Sequence, residues 1–187
     1  MSRSILTRAS WAGLVAIGAL GAIAARPFLD GPPPGTTGGF GEPTCAQCHY
    51  DVQQPDPNGT LQVEGFPESW VPNEQYDISV RLHRQGMGRG GFQLAIRFAN
   101  GEQAGTLTPT DDRTATELLN EISYAYQTVL GTELLSPNKN TWHFEWQAPG
   151  KVDRAVLLHA VGNAANNDDS QFGDHIYTYS ATSEPAQ

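Results

Sequence analysis

The sequence predicts an all-β fold, a sandwich of about seven or eight short strands. Three observations lead there. Apolar and polar residues alternate over several short runs, as in Tyr76-Asp77-Ile78-Ser79-Val80-Arg81-Leu82-His83, the pattern of a half-buried strand. The chain holds 20 Gly and 13 Pro in 187 residues, which divides it into short pieces and argues against a helical bundle or coiled coil. Past the N-terminus only residues 114–120, behind Asp111 and Asp112, suggest a helix.

In chain order, residues 1–24 read as an export signal. Arg3 and Arg8 precede an apolar run, and Ala22-Ile23-Ala24 sets small residues where a signal peptidase cleaves. The alternative is an uncleaved N-terminal anchor, for which the uncharged run over 9–25 is short. Both readings put the remainder in the periplasm or at the cell surface. Residues 25–44, with Gly31-Pro32-Pro33-Pro34-Gly35 and Thr36-Thr37-Gly38-Gly39, form a linker expected to be mobile or loosely laid on the domain. Residues 45–58 carry the two cysteines of the chain, 59–181 the sandwich, and 182–187 a tail.

Within the sandwich, alternation marks strands near 76–83, 92–99 and 142–147, with two more at 154–161 and 175–180. Weaker candidates are 60–64, 103–108 and 122–128. Trp70, Phe92, Trp142, Phe144 and Trp146 read as core, and His143, between large apolar neighbours, as solvent-facing.

Acidic residues number 20 against 11 basic ones, for a formal charge of −9. That balance speaks against nucleic acid and against an anionic membrane surface beyond the N-terminal segment, and suits protein partners with a basic docking face. Oligomeric state is not legible.

Cys45-Ala46-Gln47-Cys48-His49 is a C-x-x-C-H motif. Thiols at i and i+3 on one turn can each add across a vinyl group of the same porphyrin, and the following histidine then reaches the iron as proximal ligand. The motif therefore predicts one covalent haem c on Cys45 and Cys48 with His49 as axial ligand. A redox disulfide would place the motif at a helix start after a strand, and zinc would need a second ligand pair that the chain lacks. Met87, the sole methionine past the leader, sits in a Gly-rich stretch and is the candidate distal ligand. His83 is the alternative, with His159 and His175 behind it; a five-coordinate iron is the remaining option.

The chain resembles the bacterial Reeler-like β-sandwich proteins, a group often described as choice-of-anchor V proteins. The resemblance covers about residues 38–180. It rests on Gly41-Glu42-Pro43-Thr44-Cys45-Ala46-Gln47-Cys48-His49, on Met87-Gly88-Arg89-Gly90-Gly91-Phe92-Gln93-Leu94, on Trp142-His143-Phe144-Glu145-Trp146-Gln147-Ala148-Pro149, and on Asn163-Ala164-Ala165-Asn166-Asn167-Asp168 with Gly173-Asp174-His175-Ile176-Tyr177. It implies an immunoglobulin-like sandwich, export, and haem in members with the cysteine motif. Many relatives have a His-Thr pair before the Trp-rich strand; here Gln127-Thr128 stands there, so that histidine's role does not transfer.

Asn163, Asn166, Asn167, Asp168, Asp169 and Asp174 make an oxygen-rich stretch, explained by Asx turns or by calcium without the EF-hand spacing. No Ser/His/Asp triad, carboxylate pair or phosphate loop stands out. The expectation is an exported mono-haem cytochrome exchanging single electrons with periplasmic or surface proteins, more an electron carrier than an enzyme. The alternatives are a haem module that binds a small gas and a structural or adhesion domain.

Overall fold

The computed structural model describes residues 28–51, 56–150 and 154–186. The expected leader, 1–24, lies outside them. Ten strands follow one another: β1 (Gly59–Glu64), β2 (Ser69–Trp70), β3 (Gln75–Arg84), β4 (Arg89–Phe98), β5 (Thr106–Pro109), β6 (Thr114–Leu119), β7 (Ile122–Gln127), β8 (Lys139–Gln147), β9 (Val156–Ala165) and β10 (His175–Pro185). They form a four-stranded sheet, β1-β3-β8-β5, and a six-stranded sheet, β2-β10-β9-β4-β7-β6. All pairings are antiparallel except β10 with β2. The all-β sandwich expected from the alternation is the fold observed.

Alternation decides which residues meet between the sheets. Ile78, Val80 and Leu82 of β3 and Trp142, Phe144 and Trp146 of β8 face Phe92, Leu94 and Ile96 of β4 and Leu158 and Ala160 of β9, all buried in one cluster. Phe92 lies 4.7 Å from the Trp142 ring and parallel to Phe144. Two of the three core tryptophans satisfy their indole N–H, Trp142 on the Gly131 carbonyl at 2.8 Å and Trp146 on that of Ala104 at 2.9 Å, while the Trp70 N–H has no partner among the described residues. A buried indole left unpaired would cost stability instead. His143 is exposed on β8, as expected.

The helix suggested over 114–120 is not formed; that stretch is β6, paired along its length with β7. Asn120 and Glu121 between them both have positive φ, 49° and 67°, as in the two-residue turns whose twist suits a hairpin. Hairpin pairing overrides the local preference of this short segment. Other strands are longer than expected. β4 begins at Arg89 and takes in Gly90 and Gly91, β9 runs on through Asn163, and β10 continues into the expected tail.

The segment expected to be a loose linker is a strap fixed across the outer face of the six-stranded sheet. The backbone N–H of Thr36 donates to Gln93 Oε1 at 2.7 Å, and Gln93 Nε2 donates to the Pro33 carbonyl at 3.0 Å. This explains why β4 is buried on both faces: Gln93, Ala95 and Arg97, which alternation alone would expose, lie under the strap. The glycines permit the approach. A Cβ at Gly39 would stand 2.4 Å from the His159 ring, and one at Gly31 2.4 Å from the Tyr126 ring.

Candidate functional site

The strap delivers the cysteine motif to the sheet. Glu42 accepts hydrogen bonds from the Thr37 hydroxyl at 2.5 Å, from the Tyr124 hydroxyl at 2.6 Å and from the Arg97 guanidinium. Desolvation pushes the Glu42 carboxyl up, but the hydrogen bonds from Thr37, Tyr124 and Arg97 outweigh it, so it lies below its ordinary value. Two backbone bonds, Gly38 to Pro43 and Glu42 to Gly39, close the loop ahead of the motif.

Cys45–Gln47 then form a single 3-10 turn. Thr44 caps it, its hydroxyl accepting from the Ala46 N–H at 3.3 Å. The N–H groups of Cys48 and His49 both donate to the Cys45 carbonyl, at 3.2 and 3.0 Å. The turn brings the three motif side chains to one cleft. Cys45 is half-buried and Cys48 exposed, and both are free thiols. Burial pushes the Cys45 thiol up to about 12, so it stays protonated at neutral pH.

The cleft has a volume of about 390 Å³, inside the ~300–1,000 Å³ usual for cofactor and ligand sites. Phe28, Leu29, Pro32 and Pro33 of the strap form an apolar wall, the backbone of Gly90 and Gly91 of β4 lines the floor, and Arg89, Gln127, Asn163, Asp169 and Asp174 are among its polar groups. His49 is held from behind. Its Nδ1 lies 2.8 Å from Oδ2 of Asp174, a carboxylate only 1% exposed. The separation is that of an ion pair, although the ring N–H is not aligned for a hydrogen bond. The other oxygen of Asp174 accepts from the Asn166 N–H at 3.1 Å. Asp51 locks the same corner, accepting from the Gly173 N–H at 2.8 Å.

The remaining candidates lie elsewhere. Met87, expected in an open loop, is 4% exposed and packed in the hydrophobic core behind Gly90. Its glycine neighbours do not isolate it, because Gly90 makes room: a Cβ there would stand 3.2 Å from the Met87 Cε. His83 is exposed on β3, opposite Thr60 and Lys139, in the four-stranded sheet. His159 lies edge-on to Phe40 of the strap at 5.4 Å. His175 stands 2.6 Å from Arg84 and 3.1 Å from Asp56. Desolvation and then the Arg84 charge hold that imidazole below its ordinary value.

In the oxygen-rich stretch the side chains make successive Asx-type turns: Asp168 N–H to Asn166, Ser170 N–H to Asp168, Phe172 N–H to Ser170. Among the described residues no group of three or more His, Cys, Asp or Glu is arranged to hold a metal ion. Sequence reading missed Asp174 as the partner of His49, and missed the strap as a cleft wall.

No protein-family model matches the chain, and no curated protein does. Several solved structures are similar to it. The Reelin-N domain of F-spondin is 18% identical with a TM-score of 0.48, over 72% of this chain and 91% of that one. A human F-spondin reeler domain is 19% identical with a TM-score of 0.45, over 71% and 93%. MyfA, the major subunit of Myf fimbriae from Yersinia enterocolitica, is 9% identical with a TM-score of 0.43, over 68% and 99%. These are likenesses at low identity.

Proposed function

We propose that this chain is an exported mono-haem c-type protein that exchanges single electrons with periplasmic or cell-surface partners. The observation that carries the reading is the convergence of Cys45, Cys48 and His49 on one half-apolar cleft, with a buried carboxylate behind the histidine. The residues present fit the group. The thiols suit thioether attachment, Phe28, Leu29, Pro32 and Pro33 offer an apolar wall to a flat ring, and Asn163 Oδ1 is buried in the cleft wall without a hydrogen-bond partner among the described residues.

In this reading Cys45 and Cys48 would hold the porphyrin through thioether bonds. Asp174 lies against Nδ1 of His49, and Nε2, which would be the atom offered to iron, lies 3.4 Å from the Asn163 amide nitrogen, a contact that ligation would replace. The apolar strap excludes water from one side of the cleft, and the acidic surface favours encounter with a basic partner. Bound haem would supply the one-electron iron couple. Export rests on the leader over 1–24.

A pyridine haemochrome assay on protein made in a host competent for haem attachment tests this. The expected result is one haem per chain with both vinyl groups saturated, lost in Cys45→Ala with Cys48→Ala. Colourless wild-type protein would leave a structural surface sandwich.

A further inference from the structure

We propose that the haem-binding cleft keeps the iron position opposite His49 open and takes a small neutral diatomic molecule there. The inference rests on the haem reading above and goes beyond electron exchange. Its first ground is a complete accounting of imidazoles. The chain has five histidines, and all lie among the described residues. Only His49 lines the cleft. His83 and His143 are exposed on the other sheet. His159 is pinned beneath Gly39 and Phe40 of the strap. His175 is engaged by Arg84 and Asp56, whose carboxylate also takes the Arg84 Nε–H at 2.8 Å and the Tyr177 hydroxyl at 3.2 Å. Met87 fills the core behind Gly90, so reaching the cleft would empty a core site.

The second ground is what does line the cleft. Arg89 is held by the Thr132 hydroxyl at 2.7 Å and by Asn167. Gln127, 4% exposed, is fixed by its oxygen, which accepts the Phe92 N–H at 2.7 Å, and its NH₂ donates no hydrogen bond to a described residue. Arg89 and Gln127 are hydrogen-bond donors suited to a small molecule with a weakly basic atom, and the carboxylates of the lining are Asp174, which lies against Nδ1 of His49, and the exposed Asp169. The third ground is Asp174. A carboxylate against Nδ1 makes the imidazole a stronger electron donor, which favours a π-accepting diatomic on the opposite side of the iron. The apolar strap wall favours an uncharged molecule over an anion.

Carbon monoxide on the reduced full-length mature protein is the probe, with the pyridine haemochrome run on the same sample. The expected result is covalent haem, a high-spin five-coordinate reduced spectrum, and one carbon monoxide bound per haem with a shifted Soret band, unchanged in Met87→Leu. Covalent haem with a low-spin spectrum and no uptake of carbon monoxide overturns this inference and leaves the haem reading standing. A low-spin spectrum that turns high-spin in Met87→Leu overturns it by naming methionine as the ligand. Absence of haem overturns both.

Discussion

Glu42 of the strap and Arg97 of β4 form a shielded ion pair, their side chains 14% and 8% exposed, just ahead of the cysteine motif. Tyr124 completes the group by donating its hydroxyl to Glu42. The pair fixes where the chain enters the Cys45 turn, so the geometry of the cleft depends on the six-stranded sheet and not on the motif alone.

Removing one partner of such a pair leaves the other charge without compensation. Glu42→Ala is expected to destabilise the protein by about 3 kcal/mol, the lower end for breaking a buried pair. Chemical denaturation of mature wild type and variant measures it. A loss near zero would mean that the strap is not anchored there.

Acid should loosen the strap in two stages. His159 lies below its ordinary 6.5, chiefly through desolvation and then the Arg97 charge. Its contribution is therefore present above 6.5 and lost as pH falls from there towards its folded value. Glu42, held below its ordinary 4.5, follows in the same direction at lower pH. Hydrogen exchange of peptides from 36–42, corrected for intrinsic rate, should accelerate from pH 7 to pH 4 more than in β3 and β8. Equal behaviour of strap and core would contradict this.

Met87 is a core residue in this account. Met87→Ala is expected to cost about 2–5 kcal/mol, as for other deletions of large buried side chains, while the haem absorption spectrum stays as in wild type. Thermal melts and spectra of one preparation read both quantities. A changed spectrum with unchanged stability would place the thioether on the iron.

The layout of the sandwich was legible because period two survives wherever one face is wet. Ile78, Val80 and Leu82, or Trp142, Phe144 and Trp146, declare their faces in the sequence. The reading failed where a second layer covers a strand. Gln93 and Arg97 look like solvent-facing residues, and nothing local shows that Thr36 and Glu42 will partner them. The cysteine motif was legible as a local chemical pattern. Asp174 was not, since its tie to His49 is made by the end of the chain returning beside the motif. Met87 misled because the emptiness of Gly90 is a property of packing, not of spacing.

Asp174 lies 2.8 Å from Nδ1 of His49, the proposed iron ligand. Asp174→Asn keeps the shape and can still accept from the Asn166 N–H, but it removes the charge behind the imidazole. The reduction potential is expected to rise by roughly 60 mV, a ten-fold change in the relative stability of the two iron states at ~59 mV per decade for one electron. The iron–histidine stretching frequency of the reduced protein should fall with it. An unchanged potential and frequency would confine Asp174 to bracing the loop before β10.

Whether Cys45 and Cys48 carry haem is read from the intact mass of the denatured chain made in a host competent for haem attachment. The expected result is a mature chain heavier by one haem, reverting to the bare polypeptide mass in Cys45→Ala with Cys48→Ala. A wild-type chain at the bare mass, from a host shown to mature other c-type proteins, would contradict it.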